Sequence, residues 1–421
     1  MNNPALTLAF AMAFGMIAQV LARHLRIPGI VLLLGTGLLL GPDALGIVYP
    51  SSLGDALPFI VGFAVAVILF EGGMNLRINR IRREGKTIRQ LITTGALVTA
   101  LGGTVTAKII LGWDWRISLL FGVIIIVTGP TVITPLLRRL KLRRSVSTVL
   151  EAEGVLLDAI GAVIAVVALE IALSPSGLSF LTGLFHIITR LIVGSTIGAA
   201  GGFLLAFLLR FRNLIPEGLE NVFTLSLVFA LFQGANSISP ESGIVAVTAA
   251  GLVVGNMKTH IHRELREFEE QMTVLLIGML FILLAADVRL IEVTELGWGG
   301  IITVAILVCV LRPLNVYIGT MGSNLNLRQK ALLSWIAPRG IVAAAVASLF
   351  ALELEKHGVD GSQLRAMVFS LIAVTVLLSG LTGSLAAQFL GLKRPENVGW
   401  VILGANYFSR SLAKVLIVSG E

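Results

Sequence analysis

The sequence predicts an all-α protein that crosses a membrane about 13 times. Its 421 residues are 56% hydrophobic and 13% charged, with a mean hydropathy of +0.93, where a soluble globular protein carries roughly 25% charged residues. The missing charge is spread over the whole length, in apolar runs of about 20 residues, the length that spans a hydrocarbon core. Basic residues crowd every second loop between those runs, as cytoplasmic loops do. A soluble enzyme, a disordered chain and a disulfide scaffold are therefore excluded. The one cysteine, Cys309, lies inside an apolar run and leaves no thiolate metal site to build. The net charge of +8 belongs to the loops and implies anionic lipid headgroups as partners, not nucleic acid.

Thirteen segments follow from the apolar runs: 5–22, 28–40, 56–74, 89–111, 117–137, 146–173, 183–209, 218–235, 242–256, 267–286, 295–316, 328–352 and 364–390. The second and ninth are short for a full crossing. The first carries no Lys or Arg before Val20, so it lacks the charged start of a cleaved signal and is read as a retained helix.

The loops test the count. Arg23 and Arg26 lie after the first span, and Arg77, Arg80, Arg82, Arg83, Lys86 and Arg89 after the third. The fifth is followed by Arg138, Arg139, Lys141, Arg143 and Arg144, the seventh by Arg210 and Arg212, and the ninth by Lys258, Arg263 and Arg266. Arg312, Arg328 and Lys330 are counted with the loop that joins the eleventh and twelfth spans, Lys393 and Arg394 with the C-terminal end. The intervening loops hold only Arg116, Arg289, Lys356 and Arg365, beside acids such as Asp43, Asp114, Glu292 and Asp360. This alternation places the N-terminus outside, the C-terminus in the cytoplasm, and the protein in the cell (inner) membrane.

Two spans are interrupted near their midpoints. The fifth carries Thr128-Gly129-Pro130-Thr131, and the twelfth Pro338-Arg339-Gly340. A proline removes a backbone donor and clashes with the carbonyl one turn earlier, and glycine eases unwinding. Such a break persists in a membrane only against protein or a wet cavity. One proline alone is an ordinary kink. Two breaks seven spans apart place corresponding elements in units of opposite orientation, helices 1–6 and 8–13, the pattern of an inverted-repeat transporter.

The sixth span holds Asp158 near its middle, at a cost of roughly 2.5–3.5 kcal/mol on insertion scales. Glu153 lies five residues earlier, about 140° around the helix, and so faces a different neighbour. Arg339 is its expected partner, since a buried guanidinium needs a carboxylate. That pairing leaves Asp158 free to hold either a proton or a small cation. Oxygens of the broken helix near Thr128 and Thr131 would complete the shell around a monovalent metal ion. No cofactor is expected beyond the transported ions, Na+ or another monovalent cation and H+.

The residues Thr128-Gly-Pro-Thr-Val-Ile-Thr-Pro-Leu-Leu, then Glu151-Ala-Glu-Gly-Val-Leu-Leu-Asp158, then Ala337-Pro-Arg-Gly-Ile-Val-Ala-Ala-Ala-Val resemble the NhaP and Na+/H+-exchanger branch of the monovalent cation:proton antiporters, over about residues 5–392. The resemblance implies thirteen helices, inverted six-helix repeats with crossed, broken helices, and a homodimer. It implies Asp158 as the essential carboxylate, Thr128 as a broken-helix ligand, and Glu153 with Arg339, beside Gly129, Pro130 and Pro338, as support of the site. Gly154 and Leu157 stand where the family usually has a serine and an asparagine or aspartate, so ion selectivity does not carry over. With no second carboxylate beside Asp158, one-for-one electroneutral exchange is expected.

From residue 395 the composition changes. Val398 to Glu421 reads as an apolar strand, Gly404 and a helical pattern, the start of a dinucleotide-binding unit, which the resemblance implies is a truncated TrkA-like domain; the alternative is an amphipathic cytoplasmic tail packed on the membrane domain. The alternative function is a sodium-coupled organic anion symporter with similar crossed helices. An intramembrane aspartyl hydrolase would need a second central aspartate, and Asp287 falls at the outer end of the tenth span. His186 reads as interfacial, and His260 and His262 as residues of a solvated loop.

Overall fold

The computed structural model describes residues 3–25, 27–129, 132–133, 136–137, 140, 142, 144–173, 178–211, 214–216, 218–257, 262–393, 404 and 406–412. Among them nine helices are long and apolar enough to cross a membrane. These are α1 (Pro4–Leu25), α3 (Ala56–Asn75), α4 (Gly85–Leu111), α6 (Arg144–Leu173), α7 (Leu178–Arg210), α8 (Glu220–Ile238), α10 (His262–Asp287), α11 (Gly297–Gly319) and α13 (Ser362–Phe389). Three shorter apolar helices join them, α2 (Gly29–Leu40), α5 (Trp115–Ile124) and α9 (Ser242–Asn256). The twelfth pass is made of two half-helices, α12a (Leu327–Trp335) and α12b (Ile341–Lys356). The order and number are those the apolar runs predict.

Local sequence sets the starts of the half-helices. Asp114 caps α5 by accepting the Arg116 amide at 3.1 Å, a bond that also holds its carboxyl below the ordinary carboxylate value. Asn326 and Gln329 form a reciprocal capping box at the start of α12a, both bonds at 2.9 Å.

The helices form two bundles. In the first, α9 packs on α3, α7 and α8, and α10 on α1, α2 and α3. Lipid offers no hydrophobic drive between helices, so small residues that let backbones approach hold this bundle. Gly198 and Gly202 of α7 lie against the Ala246 and Ala250 backbone of α9, and Gly15 of α1 lies against Gly278 of α10. In the second bundle α4 packs on α5 and α11, α5 on α6, and α12b on α6 and α13. Helix α6 also touches α3 and α9, so it runs along the seam between the bundles.

The contacts at the two ends of the molecule follow the loop alternation. On one side, the Ile78 amide donates to Asn256 Oδ1 at 2.9 Å, Lys86 Nζ to the Gly322 carbonyl at 3.0 Å and Gln329 Nε2 to Ser145 Oγ at 3.3 Å. All belong to the basic loops or their flanks. On the other side, Asp43 pairs with Arg289 at 3.0 Å, and Arg365 pairs with Asp287 at 3.2 Å and Glu292 at 2.6 Å. These residues all come from the intervening loops or the span ends beside them.

Three ionisable residues near spans find local partners. Lys108 donates to the Trp113 carbonyl at 3.0 Å, Arg190 pairs with Glu170 at 2.6 Å, and Glu71 accepts Asn75 Nδ2 at 2.5 Å. His186 is half exposed, 3.6 Å from Glu170. The tail is described only at residue 404 and over 406–412, where Asn406 Oδ1 accepts the Ser409 amide at 2.8 Å. The expected nucleotide-binding unit otherwise lies outside the described residues, as do Pro130, Thr131 and His260 and the side chain of His262.

The two interrupted passes cross. Beyond Ile124 the chain runs without helix through Val127–Gly129, and residues 336–340 separate α12a from α12b. A Cβ on Gly340 would fall on Gly129 Cα and 2.7 Å from its N, although the Gly340 backbone angles, φ −100° and ψ 178°, suit any residue. Space, not conformation, demands glycine here. Gly340→Ala is expected to cost about 3 kcal/mol or more, the upper end for overpacking, because a backbone cannot step aside as a side chain can. Gly85→Ala, with nothing within 4 Å, is the tolerated comparison; unfolding midpoints of the two purified variants check this. Arg365→Met, which strands the largely buried Asp287 and Glu292, is expected to cost about 3–5 kcal/mol. Asp287→Asn, which leaves Glu292 to pair with Arg365, is expected to cost less in the same measurement.

Candidate functional site

The crossing brings helix ends to the middle of the protein. The C-terminus of α5 stops at Ile124 and that of α12a at Trp335, each exposing carbonyls with no partner in their own helix. Each end carries roughly half a negative charge. Two buried arginines meet them. Arg339, 6% exposed, donates through Nη1 to the Ile125 carbonyl at the end of α5. Arg312 of α11, 4% exposed, donates through Nη2 to the Leu333 carbonyl in the last turn of α12a at 3.2 Å.

Arg312 also holds Glu153. Its Nη1 and Nη2 donate to the two carboxylate oxygens at 2.5 and 3.1 Å, a bidentate pair inside the protein. The expected clamp between Glu153 and Arg339 is therefore corrected: the partner of Glu153 is Arg312. Arg339 lies in the break itself, and the carbonyl end of α5 engages its side chain. Arg312 arrives alongside α6 on a neighbouring helix. Loop counting places Arg312 with a basic loop, and the structure places it inside the span Gly297–Gly319. The signal available in the sequence was its position directly after the unbroken apolar run Val304–Leu311.

Helix α11 is adapted to deliver this residue. A π-helical segment, Leu307–Leu311, immediately precedes Arg312, and such segments re-aim the side chains that follow. The buried Asn315, one turn on, donates to the Gly95 carbonyl at 2.8 Å and to Thr99 Oγ1 at 2.5 Å. Gly95 ends a π-helical segment of α4, Leu91–Gly95. Helices α4 and α11, seven passes apart like the two broken ones, thus meet at matching irregularities.

Asp158 lies on the seam helix α6 and is fully buried. Neither carboxylate oxygen accepts a hydrogen bond from any described residue, and the same holds for Oγ1 of Thr128, which is 2% exposed. Gly161, three residues after Asp158 and on the same face, packs against Val127 in the non-helical stretch, where a Cβ would come within 2.8 Å of Val127 Cγ2. That face of α6 is thereby turned to the break that carries Thr128 and Gly129. Glu153, on a different face, is turned to α11. Pro338 is buried in the second break. A second fully buried acid, Glu269 on α10 near Glu71, belongs to the first bundle.

This arrangement has the groups an ion could use: one carboxylate without a basic partner among the described residues, hydroxyl and carbonyl oxygens of an unwound segment, and arginines engaged at the helix ends and Glu153. Comparison with known proteins agrees. A family model described as sodium/hydrogen exchanger, transmembrane, matches residues 9–388. The Na(+)/H(+) antiporter 1 of Methanocaldococcus jannaschii is 25% identical over 92% of this chain and 96% of its own. The K(+)/H(+) antiporter NhaP2 of Shewanella oneidensis is 26% identical over 92% of this chain and 67% of its own. The solved structure of the sodium proton antiporter MjNhaP1 from Methanocaldococcus jannaschii at pH 8 superposes with a TM-score of 0.78 at 25% identity, covering 91% of this chain and 98% of that one. By its broken, crossed helices, its buried acid and this match over nearly its full length, the chain belongs to the sodium/hydrogen exchanger family.

Proposed function

We propose that the protein exchanges a monovalent cation, Na+ before Li+ or K+, for H+ by alternating access, with Asp158 holding either ion in turn. The observation that carries this reading is the fully buried Asp158 carboxylate, which accepts no hydrogen bond from the described residues and stands on the seam between two bundles. A carboxylate in that position must be neutralised to remain there. A proton does so, and so does a bound cation, but the two exclude each other. One negative group that carries one monovalent charge in each direction makes the exchange one for one and electroneutral. Thr128 and Thr131 would add oxygen ligands, and hydrated Na+ would exchange its water for them.

Relative movement of the two bundles would expose the seam to one side and then the other. Glu153 and Arg312 would keep the second bundle rigid as it moves, and Arg339 would hold the C-terminus of α5. The same reading places the protein in the inner cell membrane as a homodimer, with its N-terminus outside and its basic loops against anionic cytoplasmic headgroups. No cofactor takes part beyond the two transported ions. The organic anion symporter is set aside by family membership.

Six outcomes test the proposal. In acidified inside-out vesicles, added Na+ should drive proton efflux, and Asp158→Asn should abolish it; an unchanged trace in that variant would make Asp158 structural. Thr128→Val should raise the half-saturating cation concentration about tenfold, since a contact of hydrogen-bond scale is worth about 1.4 kcal/mol here, while Thr128→Ser should restore it. Arg312→Met alone should destabilise by about 3–5 kcal/mol by stranding Glu153, and Glu153→Met with Arg312→Met should recover most of that loss. A transport current in proteoliposomes held at a membrane potential would overturn the electroneutral assignment. A mass of one chain in native micelles, or trypsin cleavage at Lys393 from outside intact cells, would overturn the dimer and the orientation respectively.

A further inference from the structure

A cavity of about 360 Å³ opens on the membrane-facing side of the second bundle, between α11, the end of α12a and α13. Its polar lining is Arg312, Arg339, Ser334, Thr375 and Ser379, and no acid among the described residues lines it. Both guanidiniums are nearly fully buried, and the Nε of each donates to no described residue. Their Nη groups bond to Glu153, Leu333 and Ile125, so one carboxylate, that of Glu153, is set against the two cations. The remaining wall is apolar, with Leu307, Val308, Leu371 and Leu378.

The cavity continues along the same helices. An apolar pocket of about 480 Å³ between α11 and α13 shares Val308, Cys309 and Leu378 with it and extends to Leu296 and Val293 at the far end of α11. Cys309 and Trp335, on the rim, are exposed on the membrane-facing surface. The combined space is long, narrow and open sideways. Its charged end lies at Arg312, seven residues or about 10 Å from the end of α11.

These features fix the chemistry of an occupant. Two buried guanidiniums set against one carboxylate leave a net positive charge in a low-dielectric wall, so the head must carry negative charge and accept hydrogen bonds. A carboxylate is the smallest group that does both. The apolar continuation requires a chain, and the lateral opening admits it from the bilayer. We propose that this cavity binds a long-chain fatty acid, its carboxylate on Arg312 and Arg339 and its chain in the apolar pocket between α11 and α13. The two arginines that serve the ion site would then also report the fatty-acid content of the membrane, because a carboxylate drawing on Arg312 competes with Glu153.

Fatty acids carry protons across bilayers themselves, so the test reads binding. Purified full-length protein in nonionic micelles is titrated with tritiated oleate, with unlabelled oleate, methyl oleate or acetate as competitors. Wild-type protein should bind oleate saturably, about one per chain. Methyl oleate, which has the chain without the charge, and acetate, which has the charge without the chain, should each compete at least tenfold more weakly than oleate. Leu378→Trp, which fills the junction of the two pockets and leaves both arginines, should weaken binding at least tenfold while cation-driven proton efflux in the absence of oleate persists. Non-saturable uptake, equal competition by methyl oleate, or unchanged binding in an active Leu378→Trp protein would overturn the proposal. Equal competition by acetate would reduce it to a site for free anions.

Discussion

Non-helical backbone at the centre of a membrane has no water to bond to, and the rest of this structure follows from how that constraint is met. The two breaks leave carbonyl ends of α5 and α12a inside the protein. Each is met by an arginine, Arg339 at Ile125 and Arg312 at Leu333. The breaks also touch each other at Gly129 and Gly340, so neither segment faces lipid. The rigid crossing that results keeps the unwound oxygens around Thr128 in place beside α6.

The arginines create a second demand. A buried guanidinium is tolerated when its charge is offset, and helix ends offset Arg339 only in part. Glu153 completes the balance by pairing with Arg312 through both carboxylate oxygens. Asp158 is left as the site's acid with no basic partner among the described residues. An acid that nothing permanently neutralises must take a proton or a cation to remain buried, and this is the source of exchange chemistry in the proposed cycle.

The two bundles differ in how they are held. The first relies on glycine and alanine contacts between α3, α7 and α9, and between α1 and α10. The second relies on polar bonds inside the membrane, among them Asn315 to Gly95 and Thr99. Helix α6 lies between them and carries Asp158 to the boundary. Between the bundles, the ion pairs of Arg365 with Asp287 and Glu292 tie α13 to the end of α10 and the segment after it. Broken bonds of that kind would accompany any movement that opens this side of the seam.

The sequence by itself determined the passes, their alternation, the two breaks and the central acid. These are one-dimensional signals: runs long enough to span, charges that cannot lie in lipid, and Gly-Pro pairs where a helix cannot continue. It also placed Glu153 on a different face from Asp158, because helical angle depends only on spacing. The partner of Glu153 was decided by tertiary structure alone. Arg312 and Arg339 are both arginines far from Glu153 along the chain, and nothing in their spacing favours one as its partner. Only the crossing, which sets the end of α5 against Arg339, and the π-helical turn of α11, which brings Arg312 alongside α6, separate their roles. Pairing across helices depends on which elements lie side by side and on a local rotation of one helix, and neither is encoded in the spacing of residues along it.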